Sequence, residues 1–151
     1  MLLNIGCDQT TFRTNFDEEE DALLYEAETK IDAPQTKEQL LVINYNIKYG
    51  GARLSFFWEC DGERYNMTVE EVTGHLDAIA EFITDADPDI LILQEVDRSS
   101  LRSNYIDQTQ YLLDRTNLNY GAYASQHSVD FLPTDGMGHV DFGNSILSKW
   151  P

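Results

Sequence analysis

A capped amphipathic helix between two apolar segments constrains the fold of this chain more than any other feature. Thr68 and Glu71 have the spacing of a capping box, which predicts a helix that begins after Thr68. Asp87-Pro88 predicts its end, because proline disfavours helical geometry at the preceding residue. Apolar residues recur between these points at three- and four-residue steps: Val69, Val72, Leu76, Ile79, Ala80 and Ile83. One face of this helix is therefore expected to pack against a core.

The apolar segments on both sides of this helix have the composition of β-strands. Residues 40–47 form a β-branched and apolar run that ends near Gly50-Gly51. Residues 89–95 contain four consecutive apolar residues, which is typical of a central strand covered on both faces. Residues 53–65 are rich in aromatic side chains and contain a turn at Asp61-Gly62, which predicts a hairpin or an ordered loop.

Three further elements are predicted in the C-terminal part of the chain. Residues 105–115 have the pattern of a second helix, and residues 120–125 and 143–148 that of short strands. A polar, glycine-containing loop is predicted between these strands, over residues 126–142. The order strand, helix, strand, helix, strand, strand predicts a layered fold that contains both helices and a sheet.

The net charge of the chain argues against one class of function. The chain has 151 residues, of which 27 are Asp or Glu and 10 are Lys or Arg, and its formal net charge is −17. Such a field repels phosphate backbones, so a passive nucleic-acid binder with a basic patch is not expected. An enzyme that recruits divalent cations remains compatible with this charge. No apolar run approaches the ~18–20 residues that a membrane-spanning helix requires.

The composition changes near residue 39. The first 40 residues contain ten acids and three bases with little periodicity, so residues 1–39 are predicted to be a disordered acidic leader or tether and residues 40–151 the folded domain. We expect a soluble protein. The apolar start at Met1–Cys7 leaves export or lipid tethering open, although it lacks a cationic region. Cys7 and Cys60 lie far apart and indicate neither a disulfide framework nor a zinc site.

Two polar residues end the apolar strands. Asn46 comes near the end of the first strand, and Glu95 ends the second. A carboxylate at the mouth of a buried strand is costly to desolvate unless a cation or hydrogen-bond donors pair with it. Glu95 is therefore either a metal-binding carboxylate or a solvated residue paired with a base such as Arg98, and the strand alone favours the second interpretation.

The order of several short motifs favours the metal-binding interpretation of Glu95 instead. The segments, in order, are LVINYNIKYGG, PDILILQEVDR, an RS...DQ...L pattern and GNSILSKWP, which together cover about residues 40–151. They resemble the first half of the endonuclease/exonuclease/phosphatase superfamily, which includes DNase I-like nucleases and inositol polyphosphate phosphatases. The resemblance implies an α+β fold, the N-terminal half of a four-layer α/β/β/α sandwich of the DNase I-like type.

The resemblance also assigns roles to individual residues. It implies that Glu95 coordinates a catalytic divalent ion, Mg²⁺ or Mn²⁺, and that Asn46 contacts the phosphate, the attacking water or the ligand shell of the metal. Both are therefore candidate catalytic and metal-contacting residues. Asn144, Arg98 and Arg102 correspond to positions near the cleft where they could contact phosphate, with a salt bridge as the alternative for the two arginines.

Two neighbours of the predicted metal ligand complete this assignment. By the same resemblance, Gln94 and Asp97 would fix the orientation of Glu95. His75 is expected on the surface of the capped helix, and His127 and His139 in the predicted loop; none of the three is assigned a catalytic role. The general base stays unassigned.

The resemblance implies a divalent-metal-dependent hydrolase that cleaves phosphodiester or phosphomonoester bonds. The Asp-x-Asn and Asp-His elements of the family cannot be placed in this sequence, so the chain is expected to be an N-terminal fragment that is inactive alone. The alternative is a non-catalytic acidic module that retains the fold and binds proteins.

The predicted partners follow from the same resemblance. We expect a phosphorylated substrate of unknown class, with duplex DNA less favoured because of the acidity, and the C-terminal half of the chain's own domain. Half of a sandwich would expose the inner face of its sheet, so the chain alone is expected to be dimeric or poorly soluble.

Overall fold

The computed structural model describes residues 21–34, 36–57, 59–132 and 138–151. Helix α1 spans Val69–Ala86, and its capping box is present: Thr68 accepts a hydrogen bond from the Glu71 backbone N–H, and the Glu71 side chain accepts one from the Thr68 backbone. Asp87 has a left-handed conformation and ends the helix. The predicted helix and both of its ends are therefore confirmed.

The described strands form one five-stranded sheet in the order β1-β4-β5-β3-β2. Strands β2 and β3 are parallel, whereas the other neighbouring strands are antiparallel. The strands span Leu23–Glu26 (β1), Val42–Asn46 (β2), Ile90–Asp97 (β3), Tyr120–Leu132 (β4) and Gly138–Ser148 (β5). Because β2 and β3 are parallel, their carboxyl ends lie at the same edge of the sheet, with Asn46 beside Gln94.

Two sequence predictions are wrong in their bounds. The polar segment 126–142 is not a loop where the structure describes it, because β4 and β5 continue through it as a long antiparallel pair whose ladder satisfies the polar backbone. Helix α2 spans Gln108–Leu113 rather than residues 105–115. Asn104 and Tyr105 have positive φ angles, which a right-handed helix cannot contain, and Asp107 caps the helix.

The described part of the predicted leader belongs to the folded unit. Strand β1 pairs with β4 in antiparallel register, and the side chain of Asn119 bonds to the backbone N–H and carbonyl of Ile31. The predicted boundary at residue 39 is therefore wrong for these residues, since the exposed edge of β4 recruits an additional strand. The N-terminal segment with Cys7 lies outside the described residues.

Both described helices cover one face of the sheet. The core on this side includes the fully buried residues Val72, Leu76, Leu91, Leu93, Leu112, Tyr123 and Leu147. The opposite face, here called the open face, presents Leu24, Val42 and Ile146, which are 83%, 49% and 51% exposed. The fold is α+β, as predicted, and its described part has one sheet and one helical layer. No helix in the described ranges is long and apolar enough to cross a membrane.

Buried Asp89 supports a prediction about acid stability. Its carboxylate accepts hydrogen bonds from Lys37 Nζ at 2.7 and 2.5 Å and from the Leu41 backbone N–H at 2.8 Å. Lys37 and the Leu41 N–H hold the pKa of Asp89 below its ordinary value. A lowered folded-state pKa stabilises the fold above the unfolded pKa of about 3.9, and this stabilisation is lost as pH falls through the folded value.

We therefore expect the free energy of unfolding to fall below about pH 4 in the wild type and to change less with pH in the Asp89→Asn variant. Urea titrations between pH 3 and pH 7 measure this difference. Asp32→Asn, which removes the same charge from an exposed position, is the control. Equal pH slopes for Asp89→Asn and the wild type would contradict the assignment.

Candidate active site

The structure brings Asn46 and Glu95 together at the edge where β2 and β3 end. The Asn46 side-chain nitrogen Nδ2 donates a hydrogen bond of 2.8 Å to Glu95 Oε1, and both side chains are accessible to solvent. The two residues are 49 positions apart in sequence. The parallel pairing of their strands brings the two side chains into contact. The other carboxylate oxygen, Glu95 Oε2, has no hydrogen-bond donor among the described residues.

The orientation of the Asn46 amide is fixed by the backbone. The Lys48 N–H donates a 2.9 Å hydrogen bond to Asn46 Oδ1. Because a backbone N–H can only donate, Oδ1 must face Lys48 and Nδ2 must face Glu95. Asn46 therefore positions the Glu95 carboxylate, while its predicted contact with a metal or a phosphate stays a prediction.

Glu95 has an unusual backbone conformation. Its φ angle is +55°, and the register between β3 and β5 shifts between Leu93 and Val96. Strict alternation along β3 would place Glu95 on the same face as the buried Leu91 and Leu93. The bulge interrupts this alternation, so the carboxylate reaches Asn46 instead of the core. Strained residues of this kind cluster at functional sites.

The two predicted neighbours of Glu95 have different roles. Gln94 donates a hydrogen bond to Asn44 Oδ1 and so links β3 to β2 next to the site. Asp97 is fully buried, and its carboxylate faces the guanidinium of Arg102 and the hydroxyl of Ser103 at 2.7–3.0 Å. Where the chain is described, Asp97 makes no hydrogen bond to Glu95, so it supports the end of β3 rather than the carboxylate itself.

The turn after β2 is held by residues distant in sequence. Tyr49 has a φ of +46°, which residues other than glycine rarely adopt, so this turn requires support from outside. Gln108, fully buried, donates to the Tyr49 carbonyl at 2.7 Å and accepts from the Asp97 backbone N–H at 3.1 Å. His75 Nδ1 lies 2.8 Å from the Gly50 carbonyl oxygen. Gln108 thus joins the segments that follow both site-bearing strands, a role that no local pattern in the sequence signals.

The remaining candidate site residues differ in their exposure to solvent. Arg102 is only 6% exposed, forms a bidentate pair with Asp97 and lies 3.7 Å from the Tyr49 ring centroid. For Arg102 the structure therefore supports the alternative, a salt bridge, over a phosphate contact. Arg98 remains partly exposed and pairs with Asp141 at 2.6 Å. Asn144 lies exposed on β5 beside Ala124.

The three histidines lie on one helix and two strands of the described fold. His75 lies half-buried on α1, while His127 and His139 lie on β4 and β5 instead of in a loop. His127 packs near the Phe142 ring, and His139 lies 3.9 Å from Asp130. In the described part of the chain, neither of these two makes a hydrogen bond or an ion pair with Glu95.

The donor set fits a weakly held, hard cation. No group of three or more His, Cys, Asp or Glu side chains that could enclose a metal ion occurs among the described residues. Mg²⁺ is usually bound by one or two carboxylates together with waters and substrate oxygens, so a single oriented carboxylate is compatible with it. Glu95 would hold such an ion, and Asn46 would keep Glu95 in place.

Comparison with known proteins assigns the family. The model of the endonuclease/exonuclease/phosphatase family matches residues 43–151. The crystal structure of an endonuclease/exonuclease/phosphatase from Beutenbergia cavernae is similar with a TM-score of 0.48 and 24% identity, over 74% of this chain and 26% of that chain. This chain thus spans about a quarter of that protein's length. No curated protein matches significantly. The family model covers most of the folded part, so this chain belongs to the endonuclease/exonuclease/phosphatase family.

Proposed function

We propose that the chain carries part of the active site of a divalent-metal-dependent phosphoesterase, in which Glu95 binds the metal and Asn46 orients Glu95. The observation that carries this proposal is the 2.8 Å hydrogen bond between Asn46 and the carboxylate of Glu95 at the ends of two parallel strands. Membership of the family supports a hydrolase of the phosphoesterase type. The identity of the ion, Mg²⁺ or Mn²⁺, belongs to the proposal.

The residues of this chain account for binding and orientation. Glu95 supplies the negative charge that holds the cation, and its bulged backbone directs the carboxylate toward Asn46. Asn46 fixes that carboxylate without adding negative charge near a phosphate. When bound, a divalent cation neutralises charge that develops on the phosphate during in-line attack by water. We assign the general base to the C-terminal half of the domain. The family resemblance implies that the remaining catalytic groups come from that half.

The open face is the surface on which we place this second half. Leu24, Val42 and Ile146 are exposed there beside Ala122, and apolar patches of this kind mark surfaces that bind protein. A second layered unit on this face would complete the four-layer sandwich. The substrate is proposed to be a phosphoester, with duplex DNA less favoured because the chain carries a net charge of −17.

Metal binding tests the proposed role of Glu95. We expect Glu95→Gln to weaken binding of Mn²⁺ at least about tenfold, because the amide keeps the shape of the side chain but removes the ligand charge. Isothermal titration calorimetry of the wild type and the variant measures this effect. Glu81→Gln, which removes an exposed carboxylate from α1, is the matched control and should bind as the wild type does.

Circular dichroism spectra establish that both variants are folded before the affinities are compared. Equal Mn²⁺ affinities for the wild type and Glu95→Gln would show that Glu95 is not a ligand. That result would favour the alternative of a non-catalytic module that retains the fold for protein binding.

A further inference from the structure

A pocket adjoins the candidate active site on the side of helix α1. It has a volume of about 380 Å³, and Asn46 forms part of its wall. Tyr45, Ile79 and the small residues near them supply an apolar side, and Lys48, Arg53 and His75 supply a polar side. Asn46 borders the pocket and also donates a hydrogen bond to Glu95, which places the pocket next to the candidate active site.

The charge of the pocket is opposite to that of the chain. The chain has 27 acidic and 10 basic residues, yet no Asp or Glu of the described ranges lines the pocket, whereas Lys48 and Arg53 both do. Lys48 is partly neutralised by Glu59, which lies 2.7 Å away. The hydrogen bond from Lys48 holds the pKa of Glu59 below its ordinary value, so this acid is ionised at neutral pH. The unopposed positive charge is that of Arg53.

Arg53 and His75 have groups available for a ligand. Within the described ranges, Arg53 is exposed and makes no hydrogen bond or ion pair. The Gly50 carbonyl oxygen can only accept, so His75 Nδ1 carries the proton in their 2.8 Å hydrogen bond. Among the described residues Nε2 has no partner, and it can accept a hydrogen bond from a ligand when the ring is neutral or donate one to a phosphate oxygen when the ring is protonated. The planar guanidinium of Arg53 matches two phosphate oxygens at once.

We propose that this pocket, here called the Arg53 pocket, binds a second phosphate group of the substrate, next to the phosphate that is cleaved. The inference rests on the proposed function, because it takes the substrate to be a phosphoester, and it narrows the substrate to a small organic molecule with two or more phosphates. The apolar wall at Tyr45 and Ile79 contacts the organic part between them. A cationic head group such as choline would meet the positive charge of Arg53 and be repelled.

A binding experiment without metal tests the Arg53 pocket. Adenosine 5′-monophosphate serves as the probe, in EDTA, and NMR follows the ring signals of His75, His127 and His139, with His75→Asn used to assign the first. We expect saturable shifts of the His75 signal only. Adenosine, which lacks the phosphate, and phosphocholine should both shift this signal far less at equal concentration.

Arg53→Gln is expected to weaken binding of the probe at least about tenfold, because it removes both the charge and the two-point hydrogen bond. Lys30→Gln is the control: it removes the same charge near β1, at the opposite edge of the sheet. Unchanged affinity in Arg53→Gln, or equal binding of adenosine, would overturn the proposal. Displacement of the probe by a short DNA duplex would overturn its restriction to small molecules.

The outcomes are separable from those of the metal experiment. Loss of Mn²⁺ binding in Glu95→Gln together with no probe binding would leave the metal site standing and exclude the Arg53 pocket. Probe binding that depends on Arg53, combined with equal Mn²⁺ affinity in Glu95→Gln and the wild type, would support the pocket as a phosphate site and refute the metal site.

Discussion

Replacing Arg102 with methionine is expected to lower the free energy of unfolding by about 3–5 kcal/mol. Asp97 is fully buried, and Arg102 donates to its two carboxylate oxygens at 3.0 and 2.8 Å. Methionine has a similar reach but no charge. In the variant the buried carboxylate of Asp97 therefore keeps, among the described residues, only the Ser103 hydroxyl at 2.7 Å as a side-chain donor. Loss of one partner of a buried pair is far more costly than loss of an exposed pair.

Urea unfolding followed by circular dichroism measures this loss. Arg115→Met is the matched control, because Arg115 pairs with Asp77 at 3.3 Å with both side chains about half exposed, and it should cost no more than about 1 kcal/mol. Replacing both members of the buried pair, Asp97→Leu with Arg102→Met, should recover part of the loss. A cost for Arg102→Met as small as that of the control would mean that Asp97 is not an uncompensated buried charge in the variant.

Gln108→Leu is expected to cost about 2–4 kcal/mol, since it removes the hydrogen bonds that Gln108 makes to two buried backbone groups. These groups are the Tyr49 carbonyl and the Asp97 N–H, which Gln108 joins at 2.7 and 3.1 Å. The change also frees the turn that follows Asn46 from the end of β3. We therefore expect weaker Mn²⁺ binding at Glu95 in the folded variant, in addition to the loss of stability.

Gln110→Leu is the matched control, because Gln110 also lies on α2 and its side-chain amide makes its hydrogen bonds at the surface. It should change stability by less than about 1 kcal/mol and leave the Mn²⁺ affinity unchanged. The two measurements separate two roles of Gln108. If Gln108→Leu lost stability but bound Mn²⁺ like the wild type, Gln108 would be a purely structural residue and not a positioning residue of the site.

The pair Asn46 and Glu95 illustrates what a sequence can contribute to a site. Each residue follows an apolar strand, and the family resemblance selected both, yet their contact required the parallel pairing of β2 with β3. Arg98 and Arg102 illustrate the limit. Both are arginines of one short segment, and only the structure separates a partly exposed side chain from one that is 6% exposed and paired with Asp97.

The long hairpin and the first strand show a second limit. Residues 126–132 and 138–142 are polar enough to predict a loop, but pairing between β4 and β5 satisfies their backbone groups. Residues 23–26 lie in an acidic segment and nevertheless pair with β4. Charge and polarity are poor guides to such strands, because one face of an antiparallel sheet can stay in water.

The sequence by itself determined the elements that depend on neighbouring residues. The capping box at Thr68, the stop at Asp87-Pro88 and the apolar period of α1 all act within a few residues, so they can be recognised without knowledge of the fold. The tertiary structure alone decided the bulge at Glu95, the burial of Arg102, the bridge through Gln108 and the Arg53 pocket. These features join segments up to 59 residues apart, and strand register and packing set them rather than local preference.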